Sequence, residues 1–117
     1  MKKTLIIAEA GVNHNGDIKK AIRLVDAAKN CGSDVIKFQT YTSNDIAVPS
    51  APKAKYQIKK GLKKENMYKM LKKYELSFKN FEFLSKYCKK RKIEFLSSGF
   101  DISSILFLKK LGMKRYK

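Results

Sequence analysis

Cysteine is scarce in this chain of 117 residues, and its scarcity excludes two kinds of site. Only Cys31 and Cys88 are present, they lie far apart, and they match no metal-binding spacing. We therefore expect two free thiols in a reducing compartment, with neither a disulfide framework nor a cysteine-based metal centre.

Long apolar runs are also missing. No stretch is long enough to cross a bilayer, and the apolar run that follows Lys3 is interrupted at Glu9 and His14, too early for a signal peptide. Together with the cysteine usage, this predicts a cytoplasmic protein that does not associate with a membrane.

Acidic residues are few, with 10 Asp and Glu against 27 Lys and Arg, and the formal charge of +17 suggests nucleic-acid binding. However, only Arg23, Arg91 and Arg115 are arginine, and lysine is scattered through every predicted helix. No zinc spacing, aromatic RNA-binding box or helix-turn-helix pattern accompanies the charge. We interpret most of this lysine as the solvated face of amphipathic helices and keep nucleic-acid binding as the less favoured alternative.

The rest of the chain is organised around its first apolar run and the turn after it. Leu5–Ala8 is typical of a strand buried on both faces. The run ends at Glu9, and a polar turn with Asn13 and His14 leads to Asp17, which can cap a helix. Parallel α/β folds place chemistry where a buried strand ends in polar residues. The alternative is a plain glycine-rich turn with one capping residue.

The next predicted strand, residues 34–40, carries two polar side chains among apolar ones. Lys37 and Gln39 lie two positions apart, so they point to the same face. Burying these two polar side chains costs free energy unless they form hydrogen bonds or ion pairs, or bind a ligand. Two interpretations stay open: an edge strand with one wet face, and a barrel interior whose mouth holds a phosphate or a carboxylate.

The alternation of apolar patterns along the chain predicts a parallel sheet with right-handed crossovers. We expect strands near residues 4–9, 34–39 and 94–98, helices near 18–30, 65–73, 78–90 and 102–111, and a fourth strand opening at Met113–Lys117. Residues 41–61 look irregular and contain both prolines. A closed eight-stranded barrel takes about 250 residues, so we predict an α/β fold that is the incomplete N-terminal part of a (β/α)8 TIM barrel. Its first strand should leave an open apolar edge at Leu5–Ala8.

Four ordered motifs resemble the sialic acid synthase family: Glu9–Gly16, Val35–Thr40, Phe95–Asp101 and Arg115–Lys117. This family includes N-acetylneuraminate synthase and its legionaminate and pseudaminate relatives, and Ala51–Ile58 looks like the bacterial branch. The resemblance covers the whole chain and implies a partial TIM-barrel synthase domain over its 117 residues. The rest of the barrel and a C-terminal antifreeze-like domain would be absent, as in an excerpt of a longer enzyme or the product of a truncated gene.

The resemblance implies a phosphoenolpyruvate-dependent transferase that forms a C–C bond. Phosphoenolpyruvate would condense with an N-acetylated hexosamine to a nine-carbon 2-keto acid, releasing phosphate. We favour N-acetylmannosamine as acceptor, giving N-acetylneuraminate; the alternative is a 6-deoxy-2,4-diacetamido sugar, giving N,N'-diacetyllegionaminate. The hypothesis from a different function class is that the chain is a non-catalytic basic fragment that binds anions or nucleic acid by charge.

The family's site residues fall on matching positions in this sequence. Glu9 matches the catalytic glutamate of the first strand, which orients the sugar and assists proton movement. Lys37, Ser98 and Lys117 match positions that bind phosphoenolpyruvate, where a lysine supplies a point charge and a serine a hydroxyl. We expect all four to converge at strand ends on one barrel face in the intact fold, and residues 1–117 alone to be catalytically inactive.

The remaining expectations concern the sugar, the metal and the assembly. Gln39 is expected to contact substrate, while Asn13 and His14 contact the sugar or only shape the turn. Family members use Mn²⁺ or Mg²⁺, but their two histidine ligands lie beyond residue 117 and His14 is the only histidine here, so we expect no metal site in this chain. The full-length family also implies a homodimer.

Overall fold

A computed structural model of the chain describes residues 3–47, 50 and 66–117, in which strands and helices alternate. In chain order the elements are β1 (Ile7–Gly11), α1 (Ile18–Asn30), β2 (Val35–Thr40), α2 (Ser43–Ile46), α3 (Met67–Tyr74), α4 (Phe78–Arg91), β3 (Glu94–Gly99) and α5 (Ile102–Lys110). The strands pair in parallel in the order β1-β2-β3, which confirms the predicted α/β class with an open sheet. Of the part predicted to be irregular, residues 48, 49 and 51–61 lie outside the described ranges. No helix within those ranges is long and apolar enough to span a bilayer.

Capping side chains start the helices where the sequence predicted. Asp17, Ser77 and Asp101 each accept a backbone N–H from the first turn of α1, α4 and α5, at 2.8–3.1 Å. These bonds satisfy donors that a helix leaves unpaired at its start. The short helix α2 was missed, since residues 43–46 fall in the stretch that the sequence marked as irregular.

The core lies between the sheet and helices α1, α4 and α5. Phe38 is fully buried at its centre, with ring centroids 6.3 Å from Phe81 and 5.9 Å from Phe95. Cys88 is buried in the same core, whereas Cys31 is exposed, and both are free thiols. Burial of this kind is what holds the helices on one face of the sheet, and the polar residues described below lie on the other face.

The first strand differs from its prediction in burial. Leu5, Ile6 and Ile7 are 42–48% exposed, and the strand begins only at Ile7. Burial on both faces was therefore wrong, because β1 pairs with β2 alone and its other edge has no neighbour among the described residues. The open apolar edge expected at Leu5–Ala8 is confirmed.

The predicted fourth strand does not form at Met113–Lys117. Met113 is buried and its Sδ accepts the backbone N–H of Ser97 at 3.2 Å, while residues 114–117 are exposed. The Nε of Arg115 also pairs with Glu94 at 2.8 Å. Side-chain contacts thus hold this segment against β3, and the thioether occupies an N–H that a ladder would use.

Replacing Ile7 with lysine should reduce self-association of the chain. Ile7 lies on the open edge, where apolar side chains and unpaired backbone groups favour pairing between copies, and a lysine opposes that pairing. Sedimentation velocity should show a larger monomer fraction for Ile7→Lys than for the parent chain. Phe83→Lys is the matched control, since Phe83 is equally exposed but lies on α4. Equal effects of both changes would mean that net charge, and not the edge, sets the association.

Candidate active site

Polar side chains meet on one face of the sheet, at the carboxyl ends of the strands. Glu9 of β1 is the register partner of Lys37 in β2, and Gln39 of β2 is the partner of Ser98 in β3. Register partners in a sheet share a face, and residues two apart in a strand also share one. The structure therefore brings together four of the residues that the sequence singled out, on the face opposite to the helices.

The strongest interaction at this site joins Glu9 and Lys37. The Nζ of Lys37 lies 2.5 Å from Oε2 of Glu9, and the side chains are 13% and 51% exposed respectively. The lysine is thus largely buried while the carboxylate faces solvent. The pairing register shifts between Glu9 and Gly11, a bulge of the kind that redirects side chains at strand ends.

Gly11 leaves an open space between the Glu9–Lys37 pair and the side-chain amide of Gln39. Its φ is +53°, and a Cβ at this position would lie 3.4 Å from Oε1 of Glu9 and 4.0 Å from Nε2 of Gln39. A carboxylate oxygen and an amide nitrogen therefore border the same small volume. Glycine is required here for its positive φ, and it also keeps that volume free of a side chain.

Ser98 contributes a hydroxyl with unused hydrogen-bonding capacity. Its Oγ is buried and has no hydrogen-bond partner within the described part of the chain. A buried hydroxyl without a partner costs free energy, so a ligand that bonds to it recovers that cost. With Lys37 as cation, Ser98 as hydroxyl and Glu9 as carboxylate, the site can hold an anion beside a group that accepts a proton.

The turn after β1 places His14 in the core and Asn13 at the surface. His14 is fully buried, its Nδ1 accepts the backbone N–H of Gly16 at 3.0 Å, and its ring lies 6.2 Å from that of Phe38. The ring proton must then lie on Nε2, which is buried without a partner among the described residues. A side chain at Gly16 (φ +73°) would overlap the carbonyl of Lys73, so α3 packs directly on this turn. His14 therefore shapes the turn, while the side chain of Asn13 is exposed to solvent.

Acid should destabilise the fold through His14. Burial lowers the pKa of His14 from 6.5 to about 4, with Asp17 opposing the shift in part. Between these two pKa values, His14 is protonated in the unfolded chain and neutral in the folded chain. The free energy of unfolding is therefore intact above pH ~6.5 and falls as pH drops toward about 4, by roughly 3 kcal/mol in all.

Urea unfolding at a series of pH values measures this loss. His14→Gln is the control, because it removes the single histidine of the chain and cannot titrate in this window. The variant should show a nearly flat unfolding free energy from about pH 6.5 to 5, where carboxylates contribute little. The same slope in both proteins would assign the acid sensitivity to other groups.

Lys117 is exposed, and the segment that carries it forms no strand beside β3 among the described residues. Its convergence with Glu9, Lys37 and Ser98 was expected in the intact fold and stays a prediction. A backbone ladder between this segment and β3 would align residue 117 with the ends of the other strands.

Asp101 has a wider role than the helix cap that the sequence indicated. Besides the N–H of Ser104, its carboxylate accepts the Thr42 N–H at 2.7 Å and the Ser103 hydroxyl at 2.7 Å. Burial alone would raise the pKa of Asp101, but the hydrogen bonds from Ser103, Thr42 and Ser104 hold it below its usual value. The bond to Thr42 ties the loop after β2 to the loop after β3. No sequence pattern reveals this link, because the two residues are far apart in the chain.

The described residues of this chain do not fit the divalent metal that the family resemblance implies. Within the described ranges no three His, Cys, Asp or Glu side chains come close enough to hold an ion. The Nδ1 of His14 is occupied by a backbone N–H, and Glu9 is paired with Lys37. No step at this site is therefore derived through a metal.

The fold and the site define an α/β protein whose parallel strands present a charged polar cluster at their carboxyl ends. The sequence model of the NeuB family matches residues 24–117. The chain is 44% identical over its full length to N,N'-diacetyllegionaminic acid synthase of Campylobacter jejuni, of which it covers 35%. It is 47% identical over 112 residues to the synthase of the same name from Legionella pneumophila, covering 96% of this chain and 32% of that protein.

A solved structure shows the same arrangement. The crystal structure of N-acetylneuraminic acid (sialic acid) synthetase from Leptospira borgpetersenii, in complex with citrate, matches with a TM-score of 0.75 and 30% identity. The match covers 98% of this chain and 35% of that one. This chain belongs to the NeuB family, a family of sialic-acid- and legionaminic-acid-type synthases, and corresponds to the N-terminal part of their barrel. It spans about a third of the length of the curated relatives it matches.

Proposed function

We propose that this chain supplies the first part of the active site of a synthase that condenses phosphoenolpyruvate with an N-acetylated hexosamine. The observation that carries the proposal is the Glu9–Lys37 pair beside the unpartnered hydroxyl of Ser98, on a family-matched fold. Lys37 and Ser98 bind the phosphate and carboxylate of phosphoenolpyruvate. Glu9 orients the sugar and moves a proton, and Gln39 contacts the sugar from the same face.

The synthase reaction forms a bond between the methylene carbon of phosphoenolpyruvate and the aldehyde carbon of the open-chain sugar. Water then adds to the carbon that bears the phosphate oxygen, and phosphate leaves, giving a nine-carbon 2-keto acid. The electrostatic demand is greatest at the phosphate and carboxylate, so a largely buried lysine is suited to the task. Once the anion binds, Lys37 exchanges part of its contact with Glu9, which frees that carboxylate for the proton.

Two acceptor sugars remain candidates. N-acetylmannosamine is the acceptor that the sequence motifs favoured. A 6-deoxy-2,4-diacetamido sugar gains support from the two relatives at 44% and 47% identity, which are named N,N'-diacetyllegionaminic acid synthases. The Leptospira N-acetylneuraminic acid synthetase is less similar, at 30% identity. On this evidence we propose the diacetamido sugar as the first substrate to assay.

A chimera tests the function directly. This chain would replace the matching N-terminal 35% of the Campylobacter synthase, with which it shares 44% identity. We expect phosphate release that requires both phosphoenolpyruvate and one of the two sugars. The sugar that supports the higher kcat/KM identifies the acceptor for which the two halves are jointly suited. A folded chimera without phosphate release with either sugar would contradict the proposal.

Residues 1–117 alone are expected to release no phosphate under the same assay. Lys117 lies in no strand of the described sheet, and the described residues provide no metal site. The missing groups are worth many kcal/mol of transition-state stabilisation, since one preorganised donor alone contributes roughly 3–4 kcal/mol. Phosphate release from the purified chain that Lys37→Ala abolishes would show that this portion suffices.

A further inference from the structure

The end of the sheet opposite to the candidate active site carries a surplus of positive charge. Helices that connect parallel strands run back against them, so the C-termini of α1, α4 and α5 all lie at this end. Its carboxylates are already paired: Asp34 with Lys3 at 3.0 Å, Asp26 with Arg91 at 2.9 Å and Glu94 with Arg115 at 2.8 Å. Among the described residues, the lysines in the last turns of α4 and α5 therefore have no carboxylate left to neutralise them.

A cleft of about 410 Å³ opens within this basic end. It lies between α4, the start of β3 and the residues that follow α5. Lys89, Lys92 and Lys114 line it, and Ser85 adds a hydroxyl. The ammonium groups of these three lysines form no ion pair within the described part of the chain. Glu94 also lines the cleft, but Arg115 holds its carboxylate.

Helix electrostatics account for only part of this cluster. Lys89 lies in the last turn of α4, where a cation offsets the partial negative charge of the helix end. Lys92 is the C-cap of α4, with φ 56° and ψ 46°, a left-handed conformation that glycine adopts at less cost. Lys114 lies beyond α5 altogether. Lys114 thus occupies a position that a helix dipole does not explain, and Lys92 adopts a backbone conformation that favours glycine.

We propose that this cleft binds the phosphate chain of a small polyphosphate anion, either free or as part of a nucleotide. Ligand sites typically have volumes of roughly 300–1,000 Å³, and lysine ammonium groups bind phosphate as point charges. Three cations match the charge of a short phosphate chain, and Leu111 and Met113 provide an apolar wall beside it. A nucleic acid strand would instead require an extended groove with aromatic side chains for base stacking.

Calorimetric titration of the whole chain with sodium tripolyphosphate, and separately with ATP, tests the proposal at about 0.15 M salt. All proteins carry Lys37→Ala, which removes the lysine proposed to bind phosphoenolpyruvate. The cleft variant adds Lys89→Ala, Lys92→Gly and Lys114→Ala, and Lys92→Gly also relieves the left-handed residue. The control variant removes three lysines near helix N-termini, Lys19, Lys20 and Lys79, so that the net charge is equal.

We expect binding of tripolyphosphate that weakens by roughly tenfold in the cleft variant and changes little in the control variant. Tighter binding of ATP would identify a nucleotide as the source of the phosphate chain, and equal or tighter binding of tripolyphosphate a free polyphosphate. Equal losses in both variants would overturn the proposal in favour of non-specific charge. The proposal would also be overturned if a short RNA displaced tripolyphosphate and if the affinity for that RNA fell by the same factor in the cleft variant and the control variant. A failure of the synthase assay leaves this result untouched, because the titration involves neither substrate nor turnover.

Discussion

Lys37→Ala should reduce kcat/KM of the chimeric synthase by roughly 10²–10³-fold, the range found when one preorganised charge-stabilising donor is removed. The side chain is 13% exposed and contacts Glu9, so its charge acts in a partly desolvated site. Removing it deprives the phosphoenolpyruvate anion of a cation and leaves Glu9 without its partner. Steady-state rates of phosphate release, measured against both substrates, provide the test.

Two control variants separate charge from geometry at this position. Lys37→Arg keeps the positive charge in a different shape and should recover part of the lost rate. Lys20→Ala removes an exposed lysine of α1 and should leave kcat/KM unchanged. A folded Lys37→Ala chimera with normal kcat/KM would remove Lys37 from the proposed mechanism.

Phe38→Ala should lower the free energy of unfolding by roughly 3–5 kcal/mol, the usual cost of truncating a buried aromatic residue. Phe38 is fully buried, and its ring packs near those of His14, Phe81 and Phe95. A cavity there loosens the contact between β2, α4 and β3, and also the turn that His14 supports. Small domains have only about 5–15 kcal/mol of stability, so the loss is a large fraction of the total.

Urea unfolding followed by circular dichroism measures this effect. Phe38→Leu removes less volume and should stay folded, so its smaller loss gives a second value if Phe38→Ala does not fold. Phe100→Ala is the control, because Phe100 is 53% exposed and its loss should cost less than about 0.5 kcal/mol. Equal costs at Phe38 and Phe100 would contradict the position of Phe38 in the core.

Part of the candidate site was predictable from the sequence alone. Lys37 and Gln39 lie two positions apart in an apolar strand, and that spacing places both on one face whatever the rest of the fold does. Glu9 and Ser98 each follow an apolar run, so they were expected at strand ends. The parallel register that pairs Glu9 with Lys37 and Gln39 with Ser98 is a tertiary fact, since no local pattern sets the alignment of separate strands.

Other features depended wholly on the tertiary structure. Nothing in the sequence distinguished a buried His14 from a substrate contact; its burial results from α3 packing on the turn at Gly16. The link from Asp101 to Thr42 crosses two loops in the same way. Neither the burial of His14 nor the Asp101–Thr42 hydrogen bond is predictable from periodicity, because periodicity relates only residues that are near neighbours in the chain.

Apart from α2 and the fourth strand, the sequence by itself determined the element types and their order, and it determined the starts of α1, α4 and α5, because apolar periodicity and capping residues act within a few positions of the chain. Only the tertiary structure decided which apolar residues are buried. Leu5–Ala8 was typical of a strand buried on both faces, yet Leu5, Ile6 and Ile7 are exposed at the open edge of the sheet, and Met113–Lys117 was expected to open a fourth strand but stays outside the sheet. Burial and strand pairing require a neighbour, and a neighbour is a property of the folded chain, not of the local sequence.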